Sequence, residues 1–188
     1  PGSVGLPMPQ TVVEIVDLED RSKILGANER GEICVRGPQV MKGYWQRQDA
    51  TDQAMSGDRF HTGDVGYLDD EGYLYLVDRE KDMILSGGFN VYPRNVEEAI
   101  YEHPGVEEVT VIGIPDDYRG EAAKAFVKLK DPSGSLTLDE LRDFLADKLG
   151  KHELPAELDV RDELPKTPVG KLSKKELVAE EAAKRGEG

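Results

Sequence analysis

Residues 78–93 constrain this chain more than any other stretch. Five consecutive charged residues, Asp78, Arg79, Glu80, Lys81 and Asp82, separate the apolar-rich residues 73–77 from the apolar-rich residues 83–85. Gly87 and Gly88 follow, and Pro93 stands where a helix should begin. A block of charge this dense is expected to cross solvent between two packed bodies, so the stretch reads as a hinge. A self-paired surface cluster is the simpler alternative, the usual fate of such runs.

The pattern differs on the two sides of the run. Before it, residues 11–17 are β-branched and bounded by turn residues, and Ile33 and Val35 share one face of residues 32–36. Both segments read as strands. Residues 20–31 are a long polar turn, and residues 46–55 a short polar helix. Residues 65–68 and 73–77 read as strands joined by a hairpin turn at 69–72.

After the run, Pro93 suits a first helical turn, and Val96, Ala99 and Ile100 form a helical stripe. Residues 106–115 and 121–130 are strand candidates, the second with Ala123, Ala125, Val127 and Leu129 on one face. Thr137 and Glu140 form a capping box ahead of Leu138, Leu141, Leu145 and Leu149, and Gly150 ends that helix. Residues 158–160 make a short strand. Ser173 with Glu176 caps a last helix, Leu172 stapling against Leu177, and residues 182–188 are expected to fray. A β-rich part thus gives way near residue 80 to an α+β part.

The 188 residues suffice for one ordinary domain or two small ones. A formal net charge of −14 argues against nucleic-acid partners, and any anion site must be made locally. Cys34 is the single cysteine, which rules out an internal disulfide and suits a buried structural thiol. No apolar run reaches the roughly 18–20 residues of a membrane span. The chain opens on Pro1 without a signal peptide and reads as a piece of a longer polypeptide.

Three places could carry chemistry. Asp64 lies between a glycine and a strand, and its two acceptor oxygens match a vicinal diol such as a ribose. A turn aspartate that satisfies backbone amides is the alternative. Gly87 and Gly88 either make a turn or let the backbone line a narrow channel. Lys171 follows Gly170 in a proline-rich loop with Lys166, Lys174 and Lys175 nearby, a positive patch suited to an anionic ligand. It is not a Walker loop, because Pro165 and Leu172 occupy two of its defining positions. His61, His103 and His152 are scattered and show no metal-ligand spacing with Cys34, so no metal site is expected.

Together these motifs resemble the adenylate-forming superfamily of acyl-CoA synthetases, luciferases and peptide-synthetase adenylation domains. Gly31-Glu32, Gly37-Pro38, Gly43-Tyr44-Trp45 and His61-Thr62-Gly63-Asp64 appear in the family's order. So do Asp78-Arg79, Lys81-Asp82, Gly88-Phe89-Asn90-Val91-Tyr92-Pro93 and Pro165-Lys166-Thr167-Pro168 with Gly170-Lys171. The wording is most similar to medium- and long-chain fatty-acid–CoA ligases.

The resemblance implies an α+β chain. Residues 1–78 would be the β-rich, barrel-like end of a large domain and residues 79–82 the hinge. Residues 83–188 would form a small mobile domain with a three-stranded sheet and flanking helices. It implies an ATP-dependent fatty-acid–CoA ligase with Mg²⁺ as cofactor and coenzyme A as co-substrate, acting through an acyl-adenylate. Lys171 would be catalytic. Asp64, Leu76 and Arg79 would bind nucleotide, Lys81 would be the pivot, and Gly87 and Gly88 would border the coenzyme A channel.

Asn90 and Leu85 stand where some relatives carry an arginine and a lysine, so those contacts are not carried over. The family's phosphate loop, acyl pocket and Mg²⁺ ligand would precede Pro1, leaving the chain inactive alone and partnered by that large domain. A cytoplasmic location is expected, with room for peripheral membrane association and a homodimer. An aryl-CoA ligase, a peptide-synthetase-type domain and a non-catalytic nucleotide- or protein-binding module are the alternatives.

Overall fold

The computed structural model describes residues 2–186, which divide into two units between Lys81 and Asp82. No helix among the described residues is long and apolar enough to cross a membrane.

The first unit is an antiparallel sheet that curls as a half-barrel. Its strands are β1 (Val12–Val16), β2 (Gly31–Arg36), β3 (Met55–Ser56), β4 (Arg59–Leu68) and β5 (Leu74–Arg79), with helix α1 (Gln48–Ala54) before β3. β4 is the organising strand. One edge pairs with β2, while the other pairs with β3 at its start and β5 at its end. Ile15, Val16, Ile33, Val65 and Val77 are buried; Ile15 and Val16 are adjacent, so that end of β1 is covered on both faces.

Two expectations change here. The strand expected at residues 65–68 begins earlier, at Arg59, since residues 59–61 already pair with β2 and β3. The charged run is not uniformly exposed: Asp78 is buried at the end of β5, its carboxylate accepting the Arg79 amide at 2.8 Å. Residues Glu80–Asp82 then make a single 3₁₀ turn.

The second unit opens with a hairpin, β6 (Ile84–Ser86) and β7 (Phe89–Val91), followed by α2 (Pro93–Tyr101). β8 (Val106–Asp116) and β9 (Gly120–Leu129) pair antiparallel along their length. After α3 (Leu138–Leu145), β10 (Glu157–Val160) returns parallel to β9, and α4 (Lys174–Gly186) closes the unit. The three expected strands are joined by the β6–β7 hairpin through the Ser86–Gly120 pair, giving five.

Strand alternation splits the core in two. Val109, Val111, Ala123, Ala125 and Val127 pack with Val96 and Ile100 of α2 and Leu141 and Leu145 of α3. Ile112, Ile114 and Phe126 pack with Leu164 and Leu177. The Thr137–Glu140 capping box forms in both directions. Its helix ends earlier than the leucine spacing predicts: Leu149 lies beyond α3 yet still packs on the core. The expected fraying of residues 182–188 is not seen through 186, where α4 stays helical; residues 187–188 lie outside the described set.

Candidate functional site

Asp64 sits in the most irregular part of β4. Glu32 pairs with Val65 and Cys34 with His61, so Ile33 alone faces the three residues Thr62, Gly63 and Asp64. This is a bulge, and the ladder hydrogen bonds it breaks must be replaced. Side chains replace them. Glu32 Oε1 accepts the Gly63 amide at 3.1 Å, and Thr62 Oγ1 accepts the Asp64 amide at 3.1 Å while donating to the Ile33 carbonyl at 2.7 Å. Gly63 has φ +70°, a conformation natural to glycine.

The register shifts again on the β5 side between Val65 and Gly66, so irregular pairing flanks Asp64 on both edges. Its carboxylate lies 3.4 Å from Arg79 Nε. The capping alternative does not describe this residue: the carboxylate faces a guanidinium and accepts no amide among the described residues.

Arg79 and Lys81 line one cleft of about 230 Å³ with Thr62, Gly63 and Glu80. Lys81 is exposed, and its ammonium forms no ion pair among the described residues. Leu76 is 40% exposed on β5. A second cleft of about 330 Å³ is lined by Arg21, Glu32, Tyr44, His61, Thr62 and Gly63, among others.

Beneath the bulge lies a polar knot that sequence spacing did not reveal. The β2–β4 pairing sets Cys34 opposite His61, although 27 residues separate them. His61 Nδ1 is 2.7 Å from Glu32 Oε2 and 3.3 Å from Cys34 Sγ; Ser56 Oγ is 2.9 Å from Nε2. An ionised carboxylate only accepts, so Nδ1–H donates to Glu32. Arg21 Nε stands 3.7 Å from the same carboxylate.

Glu32, Cys34 and His61 present ligand atoms within 4.8 Å of one another, all buried. Burial, then the Glu32 charge, pushes the Cys34 thiol up to about 12. In this arrangement both imidazole nitrogens and both Glu32 oxygens are hydrogen-bonded. Ser56 lines neither cleft, so its contact with His61 does not amount to a nucleophile facing a substrate. A glutamate sharing a strand face with a cysteine was the available sequence signal for this knot.

Lys171 belongs to the second unit. Residues 166 and 172 form an isolated bridge; Thr167 N donates to Lys171 O at 2.7 Å, and Lys171 N to Thr167 Oγ1 at 3.2 Å. Two of the three neighbouring lysines are neutralised, Lys166 by Glu108 and Lys174 by Glu97, and Lys175 is exposed. Lys171 is exposed and forms no ion pair among the described residues. The expected positive patch is thus smaller than its sequence: among the described residues Lys171 and Lys175 are left without an ion pair.

Gly87 and Gly88, with φ of +58° and +83°, form the two-residue turn between β6 and β7. A side chain at either position would meet nothing within 4 Å, so the turn alone accounts for both glycines. Asp64, Arg79 and Lys81 are gathered on one unit; Gly87, Gly88 and Lys171 lie on two separate loops of the other.

Residues 1–45 match the family model described as AMP-binding enzyme, and residues 95–171 the one described as AMP-binding enzyme C-terminal domain. A long-chain-fatty-acid–CoA ligase of Escherichia coli O157:H7 is 49% identical over 176 residues, 94% of this chain and 31% of that protein. A 2-succinylbenzoate–CoA ligase of Geobacillus kaustophilus is 46% identical over 178 residues, 94% of this chain and 35% of that protein. The ATP-bound structure of MatB from Rhodopseudomonas palustris superposes with a TM-score of 0.85 at 36% identity, covering 94% of this chain and 35% of that one. The chain spans about a third of the length of the relatives it matches.

Proposed function

This chain belongs to the AMP-binding enzyme family, and from that premise we propose that it is part of an ATP-dependent fatty-acid–CoA ligase. The observation that carries the reading is the division of charge between the units. Arg79, paired with Asp64, lines a cleft of the first, and the unpaired Lys171 ammonium tops a hydrogen-bonded hairpin of the second.

On this reading a substrate carboxylate oxygen attacks the α-phosphorus of ATP, and pyrophosphate leaves. The thiolate of coenzyme A then attacks the acyl carbon, and AMP leaves. Asp64 accepts hydrogen bonds from the ribose hydroxyls, with Arg79 and Leu76 against the nucleotide. Lys171 offsets the repulsion between carboxylate and triphosphate and stabilises charge at the reacting phosphorus. Lys81 is the pivot by which the second unit changes the face it presents between the two steps. Gly87 and Gly88 border the coenzyme A path in the second step.

Mg²⁺ would lessen the charge of the triphosphate. Glu80 is the one carboxylate lining the Arg79–Lys81 cleft, beside two cations, a poor cradle for a divalent ion, so this cleft is not assigned to Mg²⁺.

The two half-reactions test the assignment in the full-length enzyme. Lys171→Ala should slow acyl-adenylate formation on the order of 10²–10³-fold and spare thioester formation from supplied acyl-adenylate. Lys81→Pro should leave adenylation and block the thioester step. Equal loss in both steps for Lys171→Ala, or survival of both for Lys81→Pro, rejects the respective role. The similarity to 2-succinylbenzoate–CoA ligase supports an aryl acid as the second reading. Pyrophosphate exchange with fatty acids and aromatic acids side by side separates the two.

A further inference from the structure

The bulge at Asp64 has an uncommon construction. Its ladder acceptor is supplied by a glutamate that is 2% exposed, on the neighbouring strand. A buried carboxylate is costly unless each oxygen is bonded, and here each is: Oε1 by the Gly63 amide, Oε2 by His61 Nδ1. These contacts grip β4 at positions 61 and 63. Thr62, between them, ties the same segment to Ile33 and to the amide of Asp64. Three consecutive residues before Asp64 are therefore anchored to β2, and the fourth projects its carboxylate toward Arg79.

A fold that needed only a stable strand would continue the ladder, since backbone acceptors lie along all of β2. The buried anion instead maintains a two-residue excess in β4, in the segment that turns one carboxylate out.

We propose that Glu32, with Thr62, is a positioning residue that fixes the Asp64 carboxylate for recognition of the ribose diol, so that it governs discrimination between ribo- and deoxyribonucleotides. This rests on the reading of Asp64 as the ribose-binding group. A carboxylate accepting two vicinal hydroxyls must hold its orientation closely, and a bulge pinned on three residues provides that. Loosening the pin should weaken binding of the diol while leaving the phosphates and the chemical step largely alone.

The test is pyrophosphate exchange in the full-length enzyme with ATP, 2′-deoxy-ATP and 3′-deoxy-ATP. Variants are Asp64→Asn, Glu32→Gln, Thr62→Val and Thr62→Ser. Wild type should prefer ATP over the deoxy analogues by about 10–100-fold in kcat/KM, the range for hydrogen bonds to a charged group. Glu32→Gln and Thr62→Val should raise KM for ATP by about 5–30-fold, with a smaller change for the analogues and kcat within about threefold. Thr62→Ser, which keeps the hydroxyl, should restore the preference.

Full discrimination in Glu32→Gln and Thr62→Val, beside its loss in Asp64→Asn, overturns the proposal and leaves the ribose reading standing. Unchanged discrimination in Asp64→Asn overturns the ribose reading, and the proposal with it. If Glu32→Gln does not fold, the Thr62→Val and Thr62→Ser pair decides, because both keep the Glu32–His61 contact.

Discussion

The Asp64 bulge and the Lys171 hairpin hold their charges in opposite ways. Asp64 is anchored from beneath through its neighbours: Thr62 and Gly63 bond to Ile33 and Glu32 of β2, and the Asp64 amide bonds to Thr62. Lys171 is held by bonds within its own loop, flanked by ion pairs at Lys166 and Lys174, and rests through Leu172 on the apolar cluster that includes Leu177 of α4. The first arrangement fixes a direction. The second presents a charge on a compact element whose seat is apolar, and apolar contact is non-directional. Under the proposed function, a group that grips the nucleotide through two steps suits the first arrangement, and one needed in a single step suits the second.

The largest effect should come from removing that seat. Leu177→Ala deletes a fully buried side chain and should cost about 2–5 kcal/mol, measured by denaturant unfolding of the second unit. If the seat also steadies the hairpin, amide exchange at Thr167 and Lys171 should quicken. A stability loss without that change would separate the hairpin from the core.

A smaller effect should appear beneath the bulge. The Cys34 thiol is raised to about 12 by burial and the Glu32 charge, so the folded form keeps its proton where the unfolded chain loses it. Unfolding then releases a proton between roughly pH 9 and 12, and stability falls as pH rises through that window. The slope is up to about 1.4 kcal/mol per pH unit. It is read as the difference between wild type and Cys34→Ala, which cancels the lysines and tyrosines that titrate there too. Native Cys34 should also resist alkylation at pH 8. A flat difference curve with rapid labelling would mean that the knot is open.

The smallest effect should be at Lys166→Ala. Its pair with Glu108 is partly exposed, and such pairs contribute about 0–1 kcal/mol. A loss well above that would make the flanking ion pairs, rather than the apolar seat, the main support of the hairpin.

Most regular elements were legible in the sequence because their signals are local. β-branched runs, the Thr137–Glu140 box and the Ala123, Ala125, Val127, Leu129 alternation depend on residues a few positions apart. Part of the charged run was misjudged: the rule that charge means exposure holds for Arg79 and Lys81 and fails for Asp78, whose carboxylate caps the next amide in a buried place. The Lys166–Lys175 patch was overestimated because Glu97 and Glu108, which neutralise two of its lysines, come from distant elements.

Residue order was enough to place the division near residue 80, the β-rich and α+β characters of the two sides, and the motifs around Asp64, Arg79, Lys81 and Lys171. Each depends on composition, period or short spacing. The folded arrangement was needed to show that Cys34 and His61 meet and that Glu32 accepts the Gly63 amide. It also showed that Lys166 and Lys174 are paired while Lys171 is not. Those facts arise from strand register and from side chains tens of residues apart, where one residue of slip exchanges every partner.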